Sequence, residues 1–312
     1  MVAAIQQRTK SVSPTTAQPA AELKIIPITG LSSSDPPYRL LDKTSLEAVR
    51  VTETSEQGTV PELIVENTLD FMVFLMDGQE LIGEKQNRIL NTDVLVPAKS
   101  RIRIPVSCVE QGRWSRTSRG FTPGKSASHR TRSNKMRRVR TSLEQSKTHD
   151  ADQGKVWDEV AFSLNCSDSR SPTRALSDAY IARNKQIEQA RAKLSLPDDA
   201  VGLAVVSGDA LMGVDLFDRH STCQHYWQNL VDSYLLDPVQ PGPTVAGPES
   251  PEAELVQEVL SQLESTAWRS HDSPGAGVDQ RLSTERLEAS ALVWEDKTVV
   301  HLQAFPQNVM PK

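Results

Sequence analysis

Apolar and polar positions alternate with a period of two along much of residues 22–109, and this alternation predicts β-strands. The clearest strand is RIRIPVSCV, residues 101–109, because arginines occupy one of its faces. The other face is apolar and consists of Ile102, Ile104, Val106 and Cys108. Pro105 lacks a backbone N–H and favours an edge strand. Several such short strands joined by turns predict a sandwich or barrel-like N-terminal part.

Three hairpins are predicted from apolar runs that flank turn residues. In residues 69–82 the turn is Asp77-Gly78, which provides the positive φ that a tight turn requires. Ser207-Gly208-Asp209 divides residues 200–217 in the same way, and Asp296-Lys297 divides the C-terminal strands. We expect the last two hairpins to pair in one sheet.

The second half of the chain adds helices, because its apolar residues recur every three or four positions. The helical segments are residues 150–164, 171–197, 221–237 and 252–268. The fold class is therefore α+β, with helices packed on mixed or antiparallel sheets in a single domain over residues 22–306. Residues 1–21 lack periodicity and predict a disordered tail, and the Pro/Gly-rich residues 238–251 predict a linker insertion.

Charge is distributed unevenly along the 312 residues, whose net charge is −5. Residues 113–140 contain ten Lys or Arg and no Asp or Glu. Such a segment is typical either of an anion-binding surface or of a solvated loop whose cations pair with acidic residues elsewhere. We expect residues 115–135 to form a basic loop. The acidic balance of the whole chain argues against general nucleic-acid binding.

Several function classes lack their sequence signatures. Cys108, Cys166 and Cys223 are far apart and form no CxxC, so neither a disulfide framework nor a thiolate zinc site is expected. The histidines show no metal-binding spacing, and no dinucleotide, P-loop or nucleophile-elbow motif identifies a cofactor. No apolar run is long enough to span a bilayer, so we expect a soluble cytoplasmic protein.

The segment GQELIGEKQNRILN, residues 78–91, places a polar run between two aliphatic pairs. A buried polar group without a partner costs about 1–3 kcal/mol. The run must therefore be paired internally, solvated, or open to a ligand. Amide side chains both donate and accept, and an arginine suits carboxylate or phosphate. The candidate ligand-binding residues here are Lys85, Gln86, Asn87 and Arg88.

A second candidate segment is PVSCVEQGRW, residues 105–114, at the end of a predicted strand. It supplies a carboxylate, an amide, a guanidinium and an aromatic ring, which are common materials of small-molecule pockets. These groups belong to Glu110, Gln111, Arg113 and Trp114. Arg113 and Trp114 would hold an anion beside a flat ring. In the alternative, Glu110 pairs with Arg113 while Trp114 covers the core.

The longest of these segments also support a family resemblance. The motifs are DGQELIGEKQNRILNTDVLVPAKS, IPVSCVEQGRW, ADQGKVWDEV, GVDLFD, YWQNLVDSYLLD and VVHLQAF. They resemble a mainly bacterial family, the ADP-ribosylglycohydrolase and rhodanese-phosphatase-superfamily-associated protein domain, over roughly residues 24–305. The resemblance implies an association with ADP-ribose-related or conflict systems. It carries over no reaction and no catalytic residue.

Three functions remain open on this basis. The first is a ligand-binding module for a nucleotide or ADP-ribose-like anion, which uses both polar segments. The second is an enzyme at the same site with Glu110 as general acid or base, whose pKa burial would raise and Arg113 would lower. The third is a scaffold that binds a protein partner through residues 113–140. The first two require residues 84–88 and 110–114 to converge.

Overall fold

The computed structural model describes residues 2–42, 44–55, 61–237 and 252–307, and the predicted linker lies outside them. The helices described are α1 (Val2–Lys10), α2 (His129–Ser146), α3 (Gln153–Cys166), α4 (Leu176–Arg191), α5 (His220–Leu235) and α6 (Glu252–Ser265). The strands described are β1 (Val12–Pro14), β2 (Gln18–Ala20), β3 (Leu23–Gly30), β4 (Tyr38–Leu40), β5 (Val49–Glu53), β6 (Glu62–Asn67), β7 (Met72–Leu75), β8 (Gln79–Gly83), β9 (Arg88–Leu90), β10 (Val94–Val96), β11 (Ser100–Cys108), β12 (Phe121–Ser126), β13 (Ala200–Ser207), β14 (Ala210–Phe217), β15 (Arg269–Asp272), β16 (Val278–Ser283), β17 (Leu287–Trp294) and β18 (Thr298–Pro306). The fold is α+β and rich in β-structure, as predicted. Within the described ranges, no helix combines the length and the apolar character that crossing a membrane requires.

The residues group into two compact units. The first comprises Met1–Pro36, Gln186–His271 and Val278–Lys312, and the second comprises Pro37–Lys185 and Asp272–Gly277. The single domain over residues 22–306 stays a prediction.

A nine-stranded sheet forms the first unit, with strand order β1-β3-β13-β14-β18-β17-β16-β15 and with β2 also paired to β3. β13 and β14 form the predicted hairpin, and Gly208 takes a φ of +57° in its turn. β14 pairs antiparallel with β18, so the C-terminal hairpin joins the same sheet as expected. Side chains of α1 and α6 share one apolar cluster with this sheet.

The N-terminal residues correct the predicted tail, since residues 2–20 form α1, β1 and β2. Ile5 is fully buried in the apolar cluster that also contains Val259 of α6 and Leu302 of β18. A nine-residue helix is too short to be stable alone, so it depends on this tertiary packing. The composition of residues 1–21 therefore did not indicate that a helix forms there.

Two sheets form the second unit. The six-stranded sheet has the order β12-β8-β9-β11-β6-β5, and the three-stranded sheet has the order β10-β7-β4. The edge strands β5 and β12 approach each other, which makes the larger sheet a half-barrel. Its apolar face shares one core with the smaller sheet, including Leu63, Leu81, Leu90 and Val96. The predicted barrel-like module is thus present.

The predicted hairpin at Asp77-Gly78 is wrong, although the turn itself exists. Gly78 has a φ of +76°, but β7 pairs with β10 and β4, whereas β8 pairs with β9 and β12. The chain passes from one sheet to the other at this corner. Side chains anchor it, because the amide of Asp77 donates to Asp93 at 2.8 Å and the Asp77 carboxylate pairs with the buried Lys135.

The prediction that Pro105 favours an edge strand is also wrong, since β11 lies between β9 and β6. β11 pairs with β6 over Ser100–Pro105 and with β9 over Val106–Cys108. Pro105 therefore stands where the strand exchanges one partner for the other. A missing N–H is tolerated at such a position.

The predicted basic loop at 115–135 is corrected in its second part, where Phe121–Ser126 is β12 and His129 begins α2. The cations of α2 are largely paired. Arg130 and Arg138 both contact the carboxylate of Glu159, at 2.7 and 3.2 Å. The positive charge of α2 therefore binds acidic groups within the same unit instead of forming an open basic arm.

The substitution Ile5→Ala tests whether α1 is folded and packed against the core. We expect a loss of about 2–5 kcal/mol in unfolding free energy, because the substitution leaves a cavity in a packed core. Urea unfolding followed by circular dichroism measures it. The control is Val2→Ala on the exposed side of the same helix, for which we expect less than about 1 kcal/mol. Equal small effects from both variants would contradict the packed helix.

Candidate functional site

The two polar segments predicted from the sequence lie side by side where the neighbouring inner strands β9 and β11 meet one end of the half-barrel. Arg88 begins β9 and is paired in register with Cys108, the last residue of β11. The next hydrogen bond continues this alignment, because the amide of Val109 donates to the carbonyl of Asn87 at 3.0 Å. The residues that precede β9 and those that follow β11 therefore leave the sheet at the same place.

Glu110 and Arg113 form a two-point ion pair. Arg113 donates from Nη2 to Glu110 Oε2 at 2.6 Å and from Nε to Oε1 at 2.9 Å. The backbone amide of Asn87 also donates to Glu110 Oε2, at 3.1 Å. Burial alone would raise the pKa of Glu110, but the hydrogen bonds from Arg113, Thr173 and Asn87 together lower it below its usual value. Glu110 is thus held as a carboxylate.

Arg113 fixes the shape of the loop that follows β11. Its Nη1 donates to the carbonyl of Glu84 at 2.6 Å, to the carbonyl of Ser115 at 2.9 Å and to Thr117 Oγ1 at 3.2 Å. Its Nη2 donates to Asn87 Oδ1 at 3.1 Å and to the carbonyl of Gly83. These bonds join the loop to the residues before β9. They also occupy the guanidinium that the sequence offered for an anion.

Asn87 connects this ion pair to a carboxyl group that the sequence analysis missed. Asn87 Nδ2 donates to Oε1 of the fully buried Glu80 at 3.3 Å. Burial raises the pKa of Glu80 to about 8; the Asn87 hydrogen bond lowers it, and the charge of Glu110 raises it further. Glu80 is therefore mostly neutral at pH 7. Glu80 precedes the core residue Leu81 on β8, so the strand pattern places its side chain on the face opposite to this core. Its position inside the motif DGQELIG was therefore the one feature of the sequence that pointed to it.

Arg88 is the second buried cation of the site. Its Nη1 donates to the carbonyl and to Oε1 of Gln86, both at 3.2 Å, and its Nη2 contacts Glu53 Oε1 at 3.4 Å. Burial raises the pKa of Glu53, and the charge of Arg88 opposes that shift. Cys108 lies nearby with a pKa raised to about 11 by burial, which keeps its thiol protonated and unreactive.

Trp114 is one of the exposed residues of the site. Its side chain leaves 49% of its surface accessible, so it does not cover the core. Lys85 Nζ lies 5.4 Å and Arg88 Cζ 5.8 Å from the ring centroid, both within cation–π range. Arg116 is half-exposed and contacts Glu84 Oε2 at 2.8 Å. An aromatic face bordered by cations can hold a planar ligand that carries negative charge.

Gln111 contributes through both its backbone and its side chain. Its carbonyl accepts from Gln86 Nε2 at 3.4 Å, and its Oε1 accepts from Arg174 at 2.9 Å. All eight residues singled out in the sequence are thus brought into one region. Among the described residues, no group of three or more His, Cys, Asp and Glu side chains is arranged to hold a metal ion.

Arg113→Ala tests whether the buried ion pair organises the site. We expect a loss of about 3–5 kcal/mol in unfolding free energy, because Glu110 would keep a buried charge without its partner. Arg103→Ala breaks the exposed pair with Glu62 and should cost less than about 1 kcal/mol. Chemical denaturation measures both. A loss at Arg113 no larger than at Arg103 would show that the pair is not required.

Glu80→Gln tests the neutral state of the buried carboxyl. The folded-state pKa of about 8 lies above the ordinary 4.5, so neutral Glu80 contributes stability that is fully present below pH 4.5 and lost as pH rises through about 8. Relative to Glu80→Gln, the wild-type unfolding free energy should fall by up to about 1.4 kcal/mol per pH unit in this window. Urea titrations at several pH values measure it. The exposed Glu66→Gln should keep the wild-type slope, and an unchanged slope in Glu80→Gln would refute the assignment.

Comparison with known proteins places this geometry in a family. The family model described as the ARG and rhodanese-phosphatase-superfamily-associated protein domain matches residues 11–305. Comparisons with curated proteins and with solved structures give no match. The matched region includes both polar segments and nearly all described strands and helices. The chain therefore belongs to the ARG and rhodanese-phosphatase-superfamily-associated protein domain family, as its motifs indicated.

Proposed function

We propose that this protein binds a nucleotide or ADP-ribose-like anion on the exposed face of Trp114. The observation that carries the proposal is a ring that is nearly half exposed while Arg113 holds the residues that follow it through hydrogen bonds. An exposed tryptophan fixed from behind provides a stacking surface at small entropic cost. Base–aromatic stacking contributes about 1–3 kcal/mol per base.

Lys85 and Arg116 supply the positive charge in this proposal. The sequence suggested Arg88 and Arg113 for the phosphate or carboxylate, but Arg88 is fully buried and Arg113 is bound to Glu110 and to backbone carbonyls. Lys85 Nζ lies over the Trp114 ring, 5.4 Å from its centroid, and Arg116 is half-exposed and paired with Glu84. A phosphate bound there would lie next to a stacked base. The two buried arginines would act by holding the surface in shape.

The family and the charge pattern support this class of ligand. The family name records an association with ADP-ribose-related proteins, so ADP-ribose and adenine nucleotides are the first probes. The proposal takes the protein to be bacterial and cytoplasmic, where such compounds are abundant. The overall net charge of −5 also favours a small anion over a nucleic acid, since a polyanion would meet repulsion outside this patch.

The two alternatives have less support. Glu110 is held ionised by Arg113, so a role as general acid near neutral pH is disfavoured. A scaffold that uses the basic segment would need open cations, yet Arg130 and Arg138 are paired with Glu159 and Lys135 with Asp77. The binding module remains the function that the geometry supports best.

Trp114→Ala is the central test. Isothermal titration with ADP-ribose and with AMP should show binding to the wild type that weakens at least about tenfold in Trp114→Ala, while Trp114→Phe retains most of it. Lys85→Ala should also weaken binding and reduce its salt dependence. Lys99→Ala, an exposed lysine paired with Asp70 in the same unit, is the matched control. Equal affinities for wild type and Trp114→Ala, or no heat with either probe, would refute the proposal.

A further inference from the structure

We infer that Glu80, although fully buried, is a positioning residue for the Trp114 surface. Its neutral carboxyl acts through Asn87 on Arg113, and Arg113 holds the loop that carries Trp114. The consequence for ligands rests on the proposed function, whereas the consequence for the loop does not.

A continuous chain of hydrogen bonds connects Glu80 to this loop. Glu80 Oε1 accepts from Asn87 Nδ2 at 3.3 Å, and Asn87 Oδ1 accepts from Arg113 Nη2 at 3.1 Å. Arg113 Nη1 then donates to the carbonyl of Ser115 and to Thr117 Oγ1, the residues that follow Trp114. Asn87 also donates its backbone amide to Glu110. Asn87 is therefore shared between two carboxyl groups, one neutral and one charged.

The surroundings of Glu80 are closed and contain mainly negative charge. A Cβ atom placed on Gly124 of β12 would lie 2.9 Å from Glu80 Oε2, so this strand packs directly on the carboxyl. Glu110 after β11 and Asp178 of α4 disfavour a charge on Glu80, while the backbone amide of Lys125 and the amide of Asn87 favour it. The main influences on the pKa of Glu80 include two other carboxylates and no lysine or arginine side chain. Loss of the proton therefore introduces a charge with little compensation.

Deprotonation of Glu80 would change the series of hydrogen bonds that runs through Asn87 to Arg113. A charged Glu80 attracts the donors already within the network, which are Asn87 Nδ2 and, behind it, the guanidinium of Arg113. Arg113 cannot move toward Glu80 and keep the short bonds to Ser115 and Thr117. The loop then loses its anchor, and the Trp114 ring changes its environment. The burial-raised pKa of about 8 sets the pH at which this change is expected.

The first experiment needs no ligand. The indole ¹H–¹⁵N resonance of Trp114, assigned by its absence in Trp114→Phe, is followed by NMR from pH 6 to pH 9.5. In wild type it should shift with a midpoint near pH 8, and in Glu80→Gln it should remain constant. Glu80→Met is a second neutral variant should glutamine disturb folding. The control is Glu159→Gln, a buried carboxyl bound to Arg130 and Arg138, which should keep the wild-type titration.

The second experiment measures binding of ADP-ribose by the same proteins. If only the form with neutral Glu80 is competent, wild-type affinity should fall about tenfold between pH 7 and pH 9, and Glu80→Gln should show no such fall. A Trp114 resonance that does not move in wild type, or that titrates equally in Glu80→Gln, would overturn the inference. A resonance that titrates as expected in protein that binds no ADP-ribose would refute the proposed function alone and leave the positioning role of Glu80 standing.

Discussion

The ion pair between Arg113 and Glu110 is the interaction on which the candidate site depends. Two segments that are about twenty-five residues apart in the chain meet at one end of the inner strands β9 and β11, and each brings carbonyls and amides that no strand partner satisfies. The guanidinium of Arg113 donates hydrogen bonds to several of these carbonyls and also neutralises the buried carboxylate of Glu110. Without that cation, a negative charge and several carbonyl groups would remain unpaired in a poorly hydrated place.

The residues of the site have two roles. Some hold the loop in position from within the protein, and others make up the exposed surface around Trp114. Arg113, Arg88 and Asn87 have their hydrogen-bonding groups directed into the protein, so they determine where the loop lies. The Trp114 ring is 49% exposed, and Lys85 Nζ lies 5.4 Å from its centroid. The question raised by the polar run between aliphatic residues thus has two answers. Most of the run is paired internally, and the pairing presents an aromatic surface.

The sequence predicted those features that arise from local periodicity. The alternation in β11 and the helices α3 to α6 follow from spacing alone, and all are present. Pairing of the two late hairpins and convergence of the two polar segments were also expected, and both are present. Other features set by distant contacts were missed. Pro105 lies at a change of strand partner, the Asp77 turn changes sheets, and Glu80 becomes neutral through its neighbours. None of these conditions is visible within a short window of sequence.

The pairing of β3 with β13 has a consequence for how the chain folds during synthesis. β3 ends at Gly30, whereas β13 begins at Ala200, so the ribosome must add about 170 residues before the partner appears. Throughout that interval the apolar segment LKIIPI has only the short strands β1 and β2 beside it. An incompletely paired apolar strand invites intermolecular association. The first unit therefore cannot complete its sheet until late in synthesis, while the second unit, contiguous over most of its length, can fold as it emerges.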